Sequence, residues 1–215
     1  MATVSFHKPV LYSPEIFDQI HSGPDAEQVA EAAESLAHAL VTGGQDTDAD
    51  DDQSVEKLVD LVDEVGMDTL AQLWSDAPAH TLGGTLWRLY ALQQGTQQHG
   101  EQWAAWYRAG YQAQVSRVIA GAVEPPTAQD LSTLTSQILT GVYSGDFAVA
   151  LNRAAAYARI ISLGMAHHAE HLDAGHPAQA RAMVQRSRRM LTTAEQLDAS
   201  ASLYRAGAFD DDDRS

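Results

Sequence analysis

The feature that most constrains this chain is a pair of apolar stripes on either side of a turn, Gly175-His-Pro177. Apolar and small residues recur at steps of three and four on both sides, which is the spacing that lines one face of an α-helix. Each stripe covers about 27 residues, or about 40 Å of helix at 1.5 Å per residue. Equal lengths across a tight turn predict a long antiparallel helical hairpin. The predicted seam comprises Phe147, Leu151, Ala154, Ala158, Ile161, Met165, His168 and Leu172, and then Ala180, Met183, Ser187, Met190, Ala194, Leu197, Ala201 and Tyr204.

The rest of the chain shows helical spacing too, and it lacks the alternating pattern of β-strands. A helix is expected to start after Gly23-Pro24-Asp25 and to run to Gly43-Gly44. Thr127 and Asp130 resemble a capping box at the start of another. Further stripes are formed by Val55, Leu58, Val59, Val62 and Val65, by Leu70, Leu73 and Trp74, by Leu82, Leu86, Leu89 and Tyr90, by Trp103, Tyr107, Tyr111, Val115 and Val118, and by Leu131, Leu134, Ile138 and Val142.

These patterns predict an all-α protein, a multi-helix bundle or irregular helical array that ends in the long hairpin. We expect one domain over residues 1–205. Two acidic stretches cannot bury apolar surface, so we expect a mobile loop at 44–53 and a disordered tail at 206–215.

Charge and composition narrow the class of partner. The chain carries 13 Lys and Arg against 29 Asp and Glu, a formal net charge of −16, which repels phosphate backbones and anionic lipid. Nucleic acid is therefore an unfavourable partner, and no apolar window has the ~18 residues that a membrane span requires. Cysteine is absent and residues 1–14 lack a signal-peptide pattern, so we expect a cytoplasmic protein.

A histidine cluster on the predicted hairpin is the best candidate for metal chemistry. His167, Glu170 and His171 match His-x-x-Glu-His, the zinc motif of inverted zincins, in which two imidazoles bind the ion and the glutamate acts as general base. The His-x-x-x-His spacing also resembles the metal-binding helix of DinB-like four-helix bundles. That resemblance implies a further histidine from an earlier helix, and His38 or His80 is available for it.

The alternative interpretation of this cluster requires no metal. His167 would face solvent, His168 would lie in the seam, and His171 would flank it near a helix C-terminus, where the helix dipole favours a cationic ring. We favour this interpretation and expect no cofactor, with a divalent metal as the alternative.

The only cluster of basic residues also lies on the hairpin and comprises Arg181, Arg186, Arg188 and Arg189. Surfaces that bind nucleic acid normally interleave aromatic or glycine-rich elements, which are lacking here. Solvated surface paired with acidic groups is the favoured interpretation, and partner binding through Arg181 and Arg188 is the alternative.

Aromatic residues concentrate in the middle of the chain. The spacing of Trp103, Trp106 and Tyr107 suits a helix core first and a binding groove second. We expect Trp106 to be the more exposed, because it departs from the run through Tyr107 and Tyr111. If the aromatic centre binds a partner, Trp87, Trp103, Trp106 and Tyr107 are the candidates.

Two resemblances go beyond these patterns. The segment from Gly145 to Leu151 resembles the turn and second helix of a tetratricopeptide unit, and the Gly-to-Ala offset recurs at Gly175 with Ala180 and at Gly100 with Ala105. This resemblance implies helical hairpins. Segments 86–90, 122–126 and 145–148 resemble a group of small acidic actinobacterial proteins of unassigned function, and that resemblance supplies no active site.

Sequence motifs for nucleophilic or nucleotide chemistry are missing, since there is no Gly-x-Ser-x-Gly elbow, Ser-x-x-Lys pair or phosphate-binding glycine loop. The favoured hypothesis is a non-enzymatic interaction or regulatory protein that binds another protein or a second copy of itself. The alternative is a metal-binding helical bundle, with or without enzymatic activity. A third possibility is a small-ligand pocket lined by Trp87, Trp103 and Tyr107.

Overall fold

The computed structural model describes residues 26–43, 71–115, 126–144, 146–173 and 175–209. Within these ranges the protein is all-α and contains no strand. Residues 71–73 are helical as well. Six helices have both ends within the described ranges: α1 (Ala26–Gly43), α2 (Leu82–Gln98), α3 (Gly100–Val115), α4 (Ala128–Ser144), α5 (Phe147–Asp173) and α6 (Pro177–Arg205).

The predicted hairpin is confirmed. Helices α5 and α6 have 27 and 29 residues, and Pro177 opens α6, where its missing N–H has no helical partner to lose. The predicted seam residues are buried or half-buried with one exception. His168 is exposed, and Ala169, at 3% exposure, lies in the seam instead. Ala180 is also buried here, and helices that approach over alanines leave no room for an imidazole.

Hydrogen bonds cross the middle of the hairpin seam. The Ser162 hydroxyl donates to the Ser187 carbonyl at 2.9 Å, and the Ser187 hydroxyl donates to the Ser162 carbonyl at 2.9 Å. Nearer the open end of the hairpin, Arg159 on α5 forms a salt bridge with Asp198 on α6. Both contacts join the two helices directly.

Helix α3 crosses α5 with unusually close backbones. Gly110 approaches the Ile160 carbonyl and the Gly164 amide, and Gly164 approaches the backbone of Trp106. A β-carbon at either glycine would overlap the opposing backbone. The crossing therefore depends on two residues without side chains.

Helix α2 packs against α6 through polar as well as apolar contacts. The Thr85 and Ser200 hydroxyls are buried 2.8 Å apart. The Arg88 guanidinium donates through Nε to the side-chain oxygen of Gln196 at 2.7 Å, and burial lowers the pKa of Arg88 from its ordinary value. These contacts fix α2 near the open end of the hairpin.

The start of α2 is joined to α1 by a carboxylate. The Glu34 side chain accepts hydrogen bonds from the backbone amides of Leu82, at 2.6 Å, and Gly83, at 2.9 Å. These amides belong to the first turn of the helix and have no partner within it. The Trp74 indole donates to the Ala33 carbonyl of α1 at 2.7 Å. A carboxylate from another helix thus caps α2, together with its own N-cap Thr81.

The capping box predicted at Thr127 is confirmed at the start of α4. The Asp130 carboxylate accepts from the backbone amide and the hydroxyl of Thr127, at 2.8 and 2.7 Å, and the Thr127 hydroxyl accepts from the Asp130 amide at 3.2 Å. The hydrogen bonds from Thr127 lower the pKa of Asp130. Leu131 and Ile138 then bury one face of α4, as the spacing predicts.

Helix α6 ends in a Schellman motif. Gly207 has a φ of 66°, the Ala208 amide donates to the Leu203 carbonyl at 3.0 Å, and the Gly207 amide donates to the Tyr204 carbonyl at 3.0 Å. Glycine adopts this left-handed conformation without steric cost. The prediction placed 206–215 in a disordered tail, whereas residues 206–209 form this turn and Phe209 is buried.

Several predictions from the sequence fall outside the described residues. They are the acidic loop at 44–53, the stripe from Val55 to Val65, Leu70, Val118 and residues 210–215 of the tail. The predicted helix before Gly43 corresponds to α1 and is confirmed.

Candidate functional site

The candidate site lies on the turn side of the α3–α5 crossing, in the segment 166–188, which we call the hairpin tip. Within it, Ala169, Ala180, Met183 and Ser187 are buried at the seam, and all other described side chains are exposed or half-buried. In the described part of the chain, the tip is thus a two-helix projection held together by its own seam.

An open groove of about 510 Å³ runs between α5 and α6 on one face of the tip. Its α5 side is formed by Ala166, Ala169 and Glu170. Its α6 side is formed by Ala180, Arg181, Val184, Gln185 and Arg188. Small side chains form the floor, and the charged groups stand at the rim.

Two apolar side chains on the groove side of α6 are exposed to solvent. Val184 is 37% exposed and Leu191 is 41% exposed. Arg181, Val184, Arg188 and Leu191 follow one another at steps of three, four and three, so they form a single stripe along the groove side of the helix. An apolar pair flanked by guanidinium groups is suited to a partner that is both apolar and acidic.

The basic cluster is exposed, and this includes both predicted partner-binding arginines, Arg181 and Arg188. Among the residues that the structure describes, none of Arg181, Arg186, Arg188 and Arg189 forms a salt bridge. The pairing with acidic groups that the sequence favoured is therefore not seen in these ranges. The guanidinium groups project into solvent on the same helix as the apolar pair.

The histidine cluster lies on α5 within the hairpin tip. His167, His168, Glu170 and His171 are all exposed, so the predicted seam position of His168 is wrong. The His167 and His171 rings have centroids 4.5 Å apart, and the His171 Nδ1 lies 2.8 Å from the His167 carbonyl oxygen. Spacing thus brings the two predicted metal ligands together.

A third ligand does not join them in the described ranges, where no group of three His, Cys, Asp or Glu side chains is arranged to hold a metal ion. Of the two histidines considered as a third ligand, His38 lies on α1 with its Nε2 3.9 Å from the Glu34 carboxylate, and His80 lies in the exposed turn before α2.

The aromatic centre is core rather than rim. Trp103 and Trp106 are 7% and 6% exposed, while Trp87 and Tyr107 are half-buried. The expectation that Trp106 is the more exposed residue is wrong, because the close α3–α5 crossing covers it. Tyr111 is instead 38% exposed. The buried face of α3 follows positions 103, 106 and 110 and not the run 103, 107 and 111.

Tyr157 completes the aromatic centre and was missed by the sequence analysis. It stacks on Trp103 and Tyr107, with ring centroids 6.2 and 5.8 Å away, and its hydroxyl lies 2.8 Å from the Thr96 hydroxyl. Burial raises the pKa of Tyr157 to about 12, and burial together with Tyr111 raises the pKa of Tyr107. The sequence does contain a signal for its burial, because Tyr157 directly precedes the seam residue Ala158 in a long alanine-rich helix.

The third possibility was a ligand pocket beside Trp87, Trp103 and Tyr107, and these residues line neither the groove at the hairpin tip nor the core cavity formed by described residues. A cavity of about 10 Å³ between α2, α4 and α5 is lined by Leu89, Leu92, Thr135, Ile138, Leu139 and Ala154. That volume holds about one water molecule at most. It is a small packing gap in the core.

Comparison with known proteins identifies no relative. No protein-family model, curated protein or solved structure matches the chain. Among the described helices, none is both long and apolar enough to cross a membrane.

Proposed function

We propose that this protein is a non-catalytic interaction module and that the hairpin tip is the surface that binds another protein. The observation that carries the proposal is the stripe of Arg181, Val184, Arg188 and Leu191, in which apolar and cationic groups share one exposed helix face beside an alanine-floored groove. Exposed apolar groups with a polar rim are typical of binding surfaces.

The occupant that fits this surface is an acidic amphipathic helix of a partner protein. Val184 and Leu191 are two helical turns apart, so they can pack against apolar residues on a helix that lies along the groove. The alanines at positions 166, 169 and 180 allow a close approach of backbones. Carboxylates on the flanks of the incoming helix would then pair with Arg181 and Arg188.

Two occupants drawn from the chain itself fit less well. If the tip paired with the tip of a second copy, the same cationic surface would be supplied twice, so Arg181 and Arg188 of both copies would share one interface without carboxylates from this surface to pair with them. The acidic run that follows Phe209 also starts too far away: the Ala208 amide is hydrogen-bonded to Leu203, which lies about 22 Å along α6 from Arg188, whereas four extended residues span about 14 Å. A separate acidic partner therefore explains the charges best.

The test uses two defined peptides and the full chain. One is a fluorescent helical peptide with leucines on one face and glutamates elsewhere, and the other has lysines in place of the glutamates. We expect saturable binding of the acidic peptide only, weakened at least tenfold by the double substitution Arg181→Glu with Arg188→Glu and weakened further by salt. Arg153→Glu is the matched control, because Arg153 is exposed on α5 about 20 Å along the helix from Ala166.

Three results would overturn the proposal. The first is equal binding of the two peptides, or binding that the double reversal leaves unchanged. The second is a dimer, seen by light scattering, that the double reversal dissociates, since the occupant would then be a second copy. The third is a gain in peptide affinity when residues 45–53 are deleted, since the chain's own acidic stretch would then be the occupant.

A further inference from the structure

The exposed pair of His167 and His171 has a ring separation compatible with a shared metal ion. The two residues are one helical turn apart on α5, both are exposed, and their ring centroids lie 4.5 Å apart at an interplanar angle of 47°. Two imidazoles bound at 2.0–2.1 Å to one ion have centroids about 4.5 to 5 Å apart for ligand angles between 90° and tetrahedral. The observed separation falls within this range.

A hydrogen bond holds the His171 ring in the tautomer that can bind a metal ion through Nε2. Its Nδ1 lies 2.8 Å from the carbonyl oxygen of His167. A carbonyl can only accept, so Nδ1 carries the proton and donates. In the neutral ring Nε2 then holds the free lone pair, which is the tautomer required of a ligand. Metal-bound histidines commonly have their second ring nitrogen held by such a bond.

We propose that His167 and His171 form a two-ligand site for a divalent transition-metal ion, with Cu²⁺ bound most tightly. Imidazole suits Cu²⁺, Ni²⁺ and Zn²⁺, and the affinity of a nitrogen site rises through Ni²⁺ to Cu²⁺ and falls again at Zn²⁺. Mg²⁺ and Ca²⁺, which prefer oxygen ligands, are excluded.

This site differs from the zinc motif that the same residues resemble in sequence. A zinc protease needs three protein ligands and a glutamate directed at the metal-bound water. In the described ranges no third donor joins the two histidines, and Glu170 lines the groove instead. The remaining coordination positions are open to water or to a donor from a partner, so the proposed role is binding and not hydrolysis.

The site is independent of the groove that carries the proposed function. On a helical wheel, positions 166 and 170 lie toward the groove, whereas 167 and 171 point outward and to the opposite flank of α5. Loss of acidic-peptide binding would leave the metal site intact, and the reverse also holds.

The test is calorimetric titration of untagged full-length protein with CuCl₂, NiCl₂ and MgCl₂ in a non-chelating buffer. We expect one tight equivalent of Cu²⁺, weaker Ni²⁺ and no Mg²⁺ at the same concentrations. His167→Gln and His171→Gln should each weaken Cu²⁺ binding at least tenfold, because a single imidazole cannot chelate. His168→Gln, an exposed neighbour outside the pair, is the matched control and should change the affinity less than twofold.

A second measurement ties binding to the helix. Bridging two residues one turn apart should slow amide hydrogen exchange at residues 164–173 when Ni²⁺ is added, in the unsubstituted protein but not in the His171→Gln variant. Metal affinity that is unchanged in both His167→Gln and His171→Gln would overturn the proposal. So would an equal loss in His168→Gln, or protection from exchange that persists without His171.

Discussion

Gly110 of α3 and Gly164 of α5 oppose each other where the two helices cross, and neither position has room for a β-carbon. A β-carbon on Gly110 would lie 1.9 Å from the Ile160 carbonyl oxygen, and one on Gly164 would lie 1.8 Å from the Trp106 carbonyl oxygen. Backbone atoms cannot yield as a flexible side chain can. The crossing fixes the position of α3 on the hairpin, and the hairpin tip begins on its turn side.

Gly110→Ala and Gly164→Ala should each destabilise the protein by about 2 kcal/mol or more, since the added methyl group must separate two packed backbones. Urea unfolding followed by circular dichroism measures the change. Gly175→Ala is the matched control, because a β-carbon there meets nothing within 4 Å. If Gly110→Ala or Gly164→Ala lowered the free energy of unfolding no more than Gly175→Ala, the close crossing would be contradicted.

Ser162→Ala and Ser187→Ala should each cost about 1 kcal/mol, the usual net value of a buried neutral hydrogen bond. Ser187→Leu should cost about 2 to 3 kcal/mol, because the larger side chain overpacks the seam. Thermal and urea unfolding of the single and double alanine variants gives the coupling between the two hydroxyls. Ser202→Ala on the exposed side of α6 serves as control and should stay within about 0.5 kcal/mol.

Glu34→Ala should lower the free energy of unfolding by about 2 kcal/mol, since two charge-assisted hydrogen bonds to the first turn of α2 are lost. The amides of Leu82 and Gly83 should exchange faster with solvent in this variant, which nuclear magnetic resonance measures directly. Glu31→Ala, an exposed position on the same helix, should change neither quantity. Slow exchange of both amides without Glu34 would show that another group caps α2.

Alkaline pH should destabilise the protein through Tyr157. Burial raises the pKa of Tyr157 to about 12, above the value of about 10 in an unfolded chain. The contribution of neutral Tyr157 to the free energy of unfolding is therefore complete below pH 10. It is lost between pH 10 and 12, at up to about 1.4 kcal/mol per pH unit. Tyr107 adds to this effect, because its pKa is also raised.

Urea midpoints at pH 9, 10, 11 and 11.5 check the alkaline loss. Tyr157→Phe keeps the ring in its stack and should flatten the slope above pH 10, while costing about 1 kcal/mol at neutral pH through the lost bond to Thr96. An unchanged slope in this variant would assign the alkaline loss to other groups.

The hairpin was predictable because apolar and small residues repeat along its seam over many turns. One wrongly assigned position does not change a pattern of that length. The misplacement at His168 has a local cause. Steps of three and of four from Met165 lead to His168 and to Ala169 respectively, and only the spacing of the helices decides between them. The distance between the helices is set by the tertiary fold, and it places Ala169 rather than His168 in the seam.

The buried face of α3 was not predictable from apolar spacing alone. The run from Trp103 through Tyr107 to Tyr111 suggested one face, yet α3 buries Trp106 and Gly110. Glycine carries no apolar signal, although Gly110 and Gly164 sit in mid-helix with no cap to explain them, and such glycines indicate a close approach. The Glu34 cap likewise joins residues 48 and 49 positions apart, which no local pattern encodes.

The reciprocal bonds between Ser162 and Ser187 also fix the register of the hairpin. Apolar and small residues repeat along the seam at steps of three and four, so a slip of one turn would still bring such residues opposite each other. The same slip would move the two serines about 5.4 Å past each other and leave both hydroxyls buried without these partners. Only one alignment of the helices satisfies both, and it determines which side chains of α5 and α6 stand opposite each other at the turn.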